Sequence, residues 1–391
     1  MIKHSFKLIW NQKRKNAYLI TELFILFLVL FLATFYIIEK LDRYNQGVGC
    51  DIENKYYIQI YTKNEKKQNI NDFQNVKKVL LSDPNIKGVT LTNNAIPYTS
   101  SISSYKIKYN NNVVNSYFRA ADEDFIKIFK PNIIAGRWFT SDEFDNIVSP
   151  IIVDKLMQEK LFDDNNAIGK ILEIEDQKYT IVGVIDFMKY DDYSKCEPTF
   201  IMPMVTQGVF DQYSIEFGID IEPLATVNPK KYSNDIFSIL SKEDYVLSRS
   251  QNLSAMKLSK NSNIQGDIKT TIIVSVFFLI NIILGMLGIL GYSVNKRRSE
   301  IGLRRAIGAA PKQIRLLLFV EMQLITLLSI LPALILIIQL LLFTDLPINI
   351  NLFIISVIAS LLFIMVIVGL CVYYPAILAS RIQPAIALQE E

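Results

Sequence analysis

Residues Thr270–Val294 read TTIIVSVFFLINIILGMLGILGYSV and contain no charged side chain. This stretch exceeds the roughly 20 residues that a helix needs to cross the hydrocarbon core of a bilayer. Three further apolar segments of similar length occur at Ala17–Ile38, Leu316–Phe343 and Leu352–Tyr374. The sequence therefore predicts four membrane-spanning helices, one near the N-terminus and three in the C-terminal third.

The composition agrees with a membrane protein that carries a large water-soluble part. Hydrophobic residues make up 51% of the chain and charged residues 20%, and the apolar ones are concentrated at the two ends. Residues 39–269 are polar and mixed, and they are numerous enough to bury cores of their own. The net charge of +3 gives no indication of nucleic-acid binding.

The short loops set the predicted orientation, because basic residues are retained on the cytoplasmic side of a membrane. Five bases precede the first span, and seven bases against the single acid Glu300 lie between the second and third spans. These bases are Lys3, Lys7, Lys13, Arg14, Lys15, Lys296, Arg297, Arg298, Arg304, Arg305, Lys312 and Arg315. Both termini are therefore predicted to be cytoplasmic, and residues 39–269 extracytoplasmic. The first span is interpreted as an uncleaved anchor, because its apolar run is long and no A-x-A site follows it.

The extracytoplasmic part alternates strand-like and helix-like stretches, which predicts a mixed α/β domain. Its middle, residues 117–204, has a pattern of its own and is interpreted as a small α/β subdomain inserted between residues 39–116 and 205–269. Leu253–Ile268 is predicted to extend the second span outward as a stalk. The remaining predicted segments are a cytoplasmic amphipathic helix (1–16), spans at 17–38, 270–294, 316–343 and 352–374, a cytoplasmic region (295–315) and a cytoplasmic tail (375–391).

No catalytic, nucleotide or metal site can be recognised. His4 is the single histidine, no Cys/His spacing suits zinc, and Gly169-Lys170 lacks the rest of a phosphate-binding loop. The chain is therefore predicted not to be an enzyme and to hold no cofactor. Cys50 and Cys196 fall in the extracytoplasmic part, where a disulfide is chemically permitted, and the sequence does not decide whether they pair.

The segment between the second and third spans carries more order than a loop that only fixes topology. Lys296–Pro311 reads KRRSEIGLRRAIGAAP, with one acid among the bases, glycines at two positions and a proline that opens the next helix. Such an arrangement is typical of a folded turn. Within the second span, Gly285, Gly288 and Gly291 recur every three residues and could form a dimer seam, since small residues let helices approach closely.

Several of these motifs resemble those of the MacB/FtsX-like permeases of mechanotransmission ABC transporters. The strongest is EIGLRRAIGA at Glu300–Ala309, followed by Ile314 and Glu321. Others are the C-terminal Pro375, Ala379, Pro384 and Leu388, and Gly136-Arg137, Ile168-Gly169-Lys170 and Ile181–Val184 in the part resembling that family's periplasmic core domain.

The resemblance implies that residues 300–309 form a coupling helix docked on a cytoplasmic ATPase, with Glu321 bracing it. The expected coupling residues are Glu300, Ile301, Gly302, Leu303, Arg304, Arg305, Ala306, Gly308 and Ala309. The ATPase, which binds ATP and Mg, is expected on a separate polypeptide. The resemblance further implies an identical or paralogous second permease, a porter-like larger part of the extracytoplasmic domain, and location in the bacterial inner membrane. A periplasmic adaptor or outer-membrane channel is a further expected partner.

The function that follows is ATP-driven export or extrusion of a periplasmic or membrane-derived substrate, such as a drug, peptide or lipoprotein. The alternative is an FtsX-like signalling module that activates cell-envelope enzymes without transport. The inserted subdomain favours the transporter, because FtsX lacks it.

Overall fold

The computed structural model describes residues 13–62, 70–99, 102–143, 148–162, 166–175, 177–204, 214–221, 234, 238, 245–343 and 349–382. The chain divides into two compact units. The first, which we call the helical domain, contains Met1–Leu41 and Gly266–Glu391. The second, which we call the α/β domain, contains Asp42–Gln265.

The described helices differ greatly in length. In chain order they are α1 (Lys13–Gln46), α2 (Ile70–Leu81), α3 (Phe125–Phe129), α4 (Lys155–Leu161), α5 (Leu253–Lys296), α6 (Arg298–Ala306), α7 (Pro311–Phe343) and α8 (Ile350–Ser380). Only α1, α5, α7 and α8 among them are long and apolar enough to cross a membrane. The predicted arrangement of one span followed by three is confirmed.

The ends of these long helices follow local chemistry. Pro311 is the first residue of α7, where its missing N–H costs nothing, and the Asn349 side chain accepts a hydrogen bond from the Asn351 amide to start α8. Helix α5 continues without a break from Leu253 to Lys296. Of the predicted amphipathic helix over 1–16, residues 13–16 belong to α1 and the rest lies outside the described residues.

The helical domain has an apolar core and an apolar surface. Phe27 of α1, Met286 of α5 and Val368 of α8 pack together with almost no exposure. On the opposite faces, large apolar side chains such as Phe277 and Leu342 remain 62% and 76% exposed. In water this surface would be unfavourable, so it is the surface expected of helices that face lipid.

The strands of the α/β domain form one continuous sheet. They are β1 (Lys55–Thr62), β2 (Ile86–Asn93), β3 (Ser103–Tyr109), β4 (Asn112–Ala121), β5 (Ile133–Gly136), β6 (Ser149–Asp154), β7 (Ile171–Ile174), β8 (Gln177–Ile185), β9 (Thr199–Pro203), β10 (Ser214–Ile221) and β11 (Tyr245–Asn252). Their order is β11-β1-β10-β2-β4-β3-β7-β8-β6-β9, with β5 beside β8. The unit β1-α2-β2 is a split β-α-β unit, because β10 lies antiparallel between its two strands.

Six of these strands close into a ring. β4 pairs with β3, β3 with β7, β7 with β8, β8 with β6, β6 with β9, and β9 returns to pair in parallel with β4. Alternate side chains point into the ring, where Phe118, Tyr179 and Phe200 are buried. The end of β4 also pairs with β2. The region predicted as an inserted subdomain thus shares β4 with the rest of the sheet.

A fully buried arginine lies where β4 passes between these parts. Arg119 is 0% exposed and donates hydrogen bonds from Nη1 to the carbonyl oxygens of Asn94 and Ala95, and from Nη2 to that of Met188. Its guanidinium carbon lies 4.1 Å from the centre of the Tyr190 ring. These contacts fasten two loops of the α/β domain to the sheet.

Candidate functional site

The basic segment, residues 295–315, is folded as a helix and a tight turn. Helix α6 ends at Ala306 with Ile307 as its C-cap, and Gly308 adopts a left-handed conformation with φ of 98°. The Gly308 amide donates to the Arg305 carbonyl and the Ala309 amide to the Arg304 carbonyl, at 3.1 and 2.9 Å. This pair of bonds is the Schellman motif, which satisfies the last carbonyl groups of a helix and favours glycine at this position. The turn then leads directly into α7.

Arg297 joins α6 to α7 through two carboxylates. Its Nη1 donates to Oε1 and Oε2 of Glu321 on α7 at 3.1 and 2.9 Å, and its Nε donates to Oε2 of Glu300 on α6 at 3.1 Å. Arg304 Nη2 donates to Oε1 of the same Glu300 at 2.9 Å. We call Arg304, Glu300, Arg297 and Glu321 the ion-pair chain. Because the side chains of Arg297 and Glu321 are each only 9% exposed, each charge depends on its partner for stabilisation.

The electrostatics of Glu300 follow from its two arginines. Partial burial acts to raise the pKa of Glu300, but the hydrogen bonds and charges of Arg297 and Arg304 outweigh burial and hold that pKa below its usual value. Glu300 is therefore ionised at neutral pH. The Glu300 carboxylate therefore accepts hydrogen bonds from both arginines at neutral pH.

Helix α6 has one buried and one exposed face. Ile301 is 4% exposed and packs with Val294, Ile314 and Ala379 from α5, α7 and α8. On the other side, Leu303 and Ile307 are 54% and 78% exposed, one helical turn apart. We call these two residues the Leu303–Ile307 pair. The helix is thus fixed to the helical domain on one face and presents an apolar surface on the other.

The remaining residues of the predicted coupling set divide between these faces. Gly302 is buried beside Ile301, whereas Ala306 and Gly308 are exposed. Arg305 donates from Nη1 to the carbonyl oxygen of the partly buried Ala309 at 3.0 Å and so stabilises the turn. The structure therefore brings Glu300, Arg304 and Glu321 together, and it directs Leu303 away from them.

The three glycines of α5 do not share one open face, so the prediction of a seam is wrong for Gly285. A Cβ atom at Gly285 would lie 2.3 Å from Oε1 of Glu22 on α1, within the same chain. No atom lies within 4 Å of a Cβ placed at Gly288 or Gly291. The cause is geometric. Three residues advance an α-helix by about 300°, so each glycine of the series is displaced by about 60° around the helix axis from the one before it, and the first and last glycines lie on different faces. The disulfide considered for Cys50 and Cys196 is not formed, since both are free thiols.

A second polar cluster gathers elements of the α/β domain around the buried Asp192. Its carboxylate accepts from the Tyr98 hydroxyl at 3.1 Å and from Asn261 Nδ2 at 2.7 Å, and it lies 3.4 Å from Lys257 Nζ. Asn261 and Lys257 lie on α5. Lys189 Nζ donates to the carbonyl oxygens of Arg43 on α1 and of Asp192. This Asp192 cluster links the ends of α1 and α5 that lie in the α/β domain to one loop.

Sequence reasoning missed Arg297 and Asp192. Arg297 counted only as one of several cytoplasmic bases, although its position three residues before Glu300 is the spacing of a helical ion pair. Asp192 stands in the polar run DFMKYDDYSK, where nothing distinguishes it from its neighbour Asp191. Its partners lie far away along the chain, so no local pattern could have identified it.

Two family models match the chain. The model of the MacB-like periplasmic core domain matches residues 25–236, more than half of the chain, and that of the FtsX-like permease C-terminal domain matches residues 272–384. The second match contains the basic segment and the ion-pair chain. The two matches together extend from within α1 to the end of α8, with residues 237–271 between them.

Relatives with these domains share modest identity with the chain. The macrolide export ATP-binding/permease protein MacB of Haemophilus ducreyi is 26% identical over 57% of this chain and 32% of its own length. The protein of the same name from Pasteurella multocida is 25% identical over 73% of this chain and 44% of its own length. The ABC transporter permease YknZ of Bacillus subtilis, described as uncharacterized, is 25% identical over 62% of this chain and 61% of its own length. The chain thus spans less than half the length of the two MacB proteins.

Among solved structures, the periplasmic region of MacB from Actinobacillus actinomycetemcomitans is similar, with a TM-score of 0.38 and 15% identity over 55% of this chain and 94% of that one. The extracellular domain of YknZ from Gram-positive bacteria gives a TM-score of 0.36 and 17% identity over 49% of this chain and 100% of that one. The two family models carry the assignment: the chain belongs to the MacB/FtsX-like ABC transporter permeases, membrane proteins with four apolar helices and a MacB-like periplasmic core domain.

Proposed function

We propose that this chain transmits ATP-driven movement from a cytoplasmic ATPase to its own extracytoplasmic α/β domain, and that this movement drives export. One observation carries the proposal: α6 presents the exposed Leu303–Ile307 pair while the ion-pair chain holds the same helix on α7. A helix that is held on one face can be displaced by a partner that binds its other, apolar face, and it can transmit this displacement as a rigid unit.

The exposed face of α6 is apolar, which narrows the set of residues expected from the sequence to contact the ATPase. Arg304 and Arg305 are engaged within the chain, with Glu300 and with the Ala309 carbonyl. The exposed faces of Leu303 and Ile307 make no such contacts within the described part of the chain. Burying these faces against a partner would stabilise the complex by about 1–2 kcal/mol each. We therefore assign ATPase contact to the Leu303–Ile307 pair, and rigidity to the ion-pair chain.

A displacement of α6 is transmitted to α5. Arg297 directly follows the last residue of α5, so a displacement of α6 acts on the end of a helix of 44 residues. The first turns of that helix carry Lys257 and Asn261 of the Asp192 cluster. A shift of α5 relative to α1 would therefore displace the contacts of Asp192. The loop that contains Asp192 would transmit this displacement to the rest of the α/β domain.

The assembly that suits this mechanism is a dimer of permease chains with two ATPase subunits, both chain termini being cytoplasmic. The second permease is identical or paralogous, and Gly288 and Gly291 offer it a surface without side chains. Among the substrate classes expected from the sequence, a drug, a peptide or a lipoprotein, the relatives named for macrolide export favour a drug. ATP and Mg would be bound by the ATPase.

The test is co-purification of the ATPase with the full-length permease from membranes in which both are expressed. The variants Leu303→Asp and Ile307→Asp should insert in the membrane but lose at least about tenfold in recovered ATPase, because each places a charge in an apolar contact. Val113→Asp is the matched control, since Val113 is also 54% exposed but lies in the α/β domain. Full recovery of ATPase with both α6 variants would refute the assigned contact.

A further inference from the structure

The basic residues of the helical domain differ in whether the protein itself neutralises them. Arg297 and Arg304 bind Glu300, and Arg297 also binds Glu321. Arg315, in the second turn of α7, has no hydrogen bond or ion pair within the described part of the chain, and its Nε is enclosed by protein. Because a guanidinium is always charged in proteins, balancing the charge of Arg315 is left to a group that the described residues do not supply.

No acidic side chain of the α7–α8 pair is available to Arg315. Helix α8 contains no acidic residue, and the one acid of α7, Glu321, is already bound by Arg297. Arg315 directly precedes the apolar run Leu316–Phe343, which is predicted to cross the membrane. Its guanidinium is therefore expected at the depth of the lipid phosphates, on the side of the basic segment.

Contacts between α7 and α8 show which side of α7 carries Arg315. A Cβ atom at Gly369 of α8 would lie 3.0 Å from Cε2 of Phe319, and Gln323 Nε2 donates to the Met365 carbonyl at 3.0 Å. A step of four residues forward on α7 thus matches a step of four back on α8, so the two helices are antiparallel. Arg315 lies one turn before Phe319 and therefore on the same side of α7, which faces α8.

The same register brings a tyrosine level with Arg315. Tyr373 follows Gly369 by one turn of α8, just as Arg315 precedes its own reference residue by one turn of α7. Tyr373 is 62% exposed. Leu316 and Phe319, which follow Arg315, are 48% and 41% exposed. A guanidinium and a phenol hydroxyl can both donate to phosphate oxygens, and the exposed apolar side chains suit acyl chains, so these groups together match a phospholipid.

We propose that the surface where α7 meets α8 at Arg315, which we call the Arg315 site, binds the headgroup of an anionic phospholipid. The net negative charge of such a lipid balances the guanidinium, whereas a zwitterionic lipid brings an ammonium group that cancels part of the attraction. The site goes beyond the coupling role assigned to α6. Lipid binding there is measured without ATP or an ATPase, so failure of either proposal leaves the other standing.

The experiment is native mass spectrometry of the full-length permease in detergent, incubated with equal amounts of phosphatidylglycerol and phosphatidylcholine that carry the same acyl chains. The two lipids share the phosphate and differ in net charge. Phosphatidylglycerol should be retained about fivefold more often, because only this lipid is anionic. An excess of soluble glycerol 3-phosphate should leave it bound, since that anion has no acyl chains. Equal retention of both lipids, or displacement by glycerol 3-phosphate, would overturn the proposal.

Two charge variants locate the binding. Arg315→Gln should lower the ratio of retained phosphatidylglycerol to phosphatidylcholine about fivefold. Lys296→Gln is the matched control, since it removes the same charge from an exposed residue of the basic segment and should change the ratio less than about twofold. Equal losses in the two variants would mean that the lipid responds only to general surface charge, and would overturn the site.

A third variant keeps the site testable if Arg315→Gln does not insert in the membrane. Tyr373→Phe removes only a hydroxyl from an exposed position and should lower retention of phosphatidylglycerol about threefold. Unchanged retention in Tyr373→Phe would then overturn the site.

Discussion

Arg297 in the helical domain and Arg119 in the α/β domain are both buried, but their partners differ in kind. Arg297 binds the carboxylates of Glu300 and Glu321, which lie on two different helices. Arg119 binds three backbone carbonyls and the face of Tyr190, with no carboxylate among its hydrogen-bond acceptors. Arg297 therefore connects helices through side chains, whereas Arg119 fastens backbone segments to the sheet. We call the contacts of Arg297 the joint and those of Arg119 the lock.

Removing the lock should have the largest effect. Arg119→Leu leaves three buried carbonyl groups without donors and should lower the free energy of unfolding of the α/β domain by about 3–5 kcal/mol. Urea unfolding of the full-length protein in a Trp10→Phe background, followed by the fluorescence of the buried Trp138, measures this loss. Arg119→Lys, which restores charge and part of the donors, should recover some of it. An unchanged urea midpoint in Arg119→Leu would contradict the role assigned to the lock.

Breaking the joint should have a smaller effect that depends on how it is broken. Glu321→Leu alone leaves Arg297 partly unpaired in the interior and should cost about 2–3 kcal/mol. The double variant Arg297→Met with Glu321→Leu should cost less than the sum of the single variants, because no buried charge is left behind.

Reaction of the buried Cys371 with a thiol-specific dye during heating reports unfolding of the helical domain, in a background where Cys50 and Cys196 are replaced by serine. Strict additivity of the two substitutions would show that Arg297 and Glu321 do not act as a pair.

The smallest effect is a difference in pH dependence between the two regions. Burial raises the pKa of Asp154 and of Glu216 near Arg119 to about 7. Because a carboxyl in the unfolded chain has a pKa near 4, the folded domain holds more protons between pH ~4 and ~7, and its stability falls as the pH rises through that window. For Glu300 the pKa is lowered, so its contribution is present above the unfolded pKa and is lost only as the pH falls through the lower, folded value.

Urea unfolding reported by Trp138 in the Trp10→Phe background at pH 5 and pH 8 should therefore show a more stable α/β domain at pH 5, by on the order of 2 kcal/mol. Asp154→Asn, which retains an acceptor for the Met157 amide, should reduce this difference. Glu159→Gln, at an exposed position on the adjacent α4, is the control and should leave it unchanged. Higher stability of the α/β domain at pH 8 than at pH 5 in the wild-type protein would contradict this prediction.

The helices could be predicted from the sequence because each depends on a local property. An apolar run such as Thr270–Val294 determines a span wherever it occurs, and Gly308 and Pro311 mark the turn after α6 by their own backbone preferences.

The joint, the lock and the ring could not be predicted, because each depends on contacts between distant residues. Glu321 lies 24 positions after Arg297 along the chain, and which of several arginines it binds is decided by how α7 packs. Arg119 alternates along β4 like any strand residue. Closure of the ring requires β9 to pair with β4, and nothing in either strand specifies the other.

Strand β4 belongs both to the ring and to the rest of the sheet, which limits the segments of this protein that can be excised or exchanged. Its residues Ala120 and Ala121 pair with β2 on one edge while the same stretch pairs with β9 on the other. An excision between residues 117 and 204 would cut β4 and open both the ring and the sheet beside it. A chimera that exchanges the ring between relatives must therefore carry Ser103–Pro203 as one segment, with its borders placed directly before β3 and directly after β9.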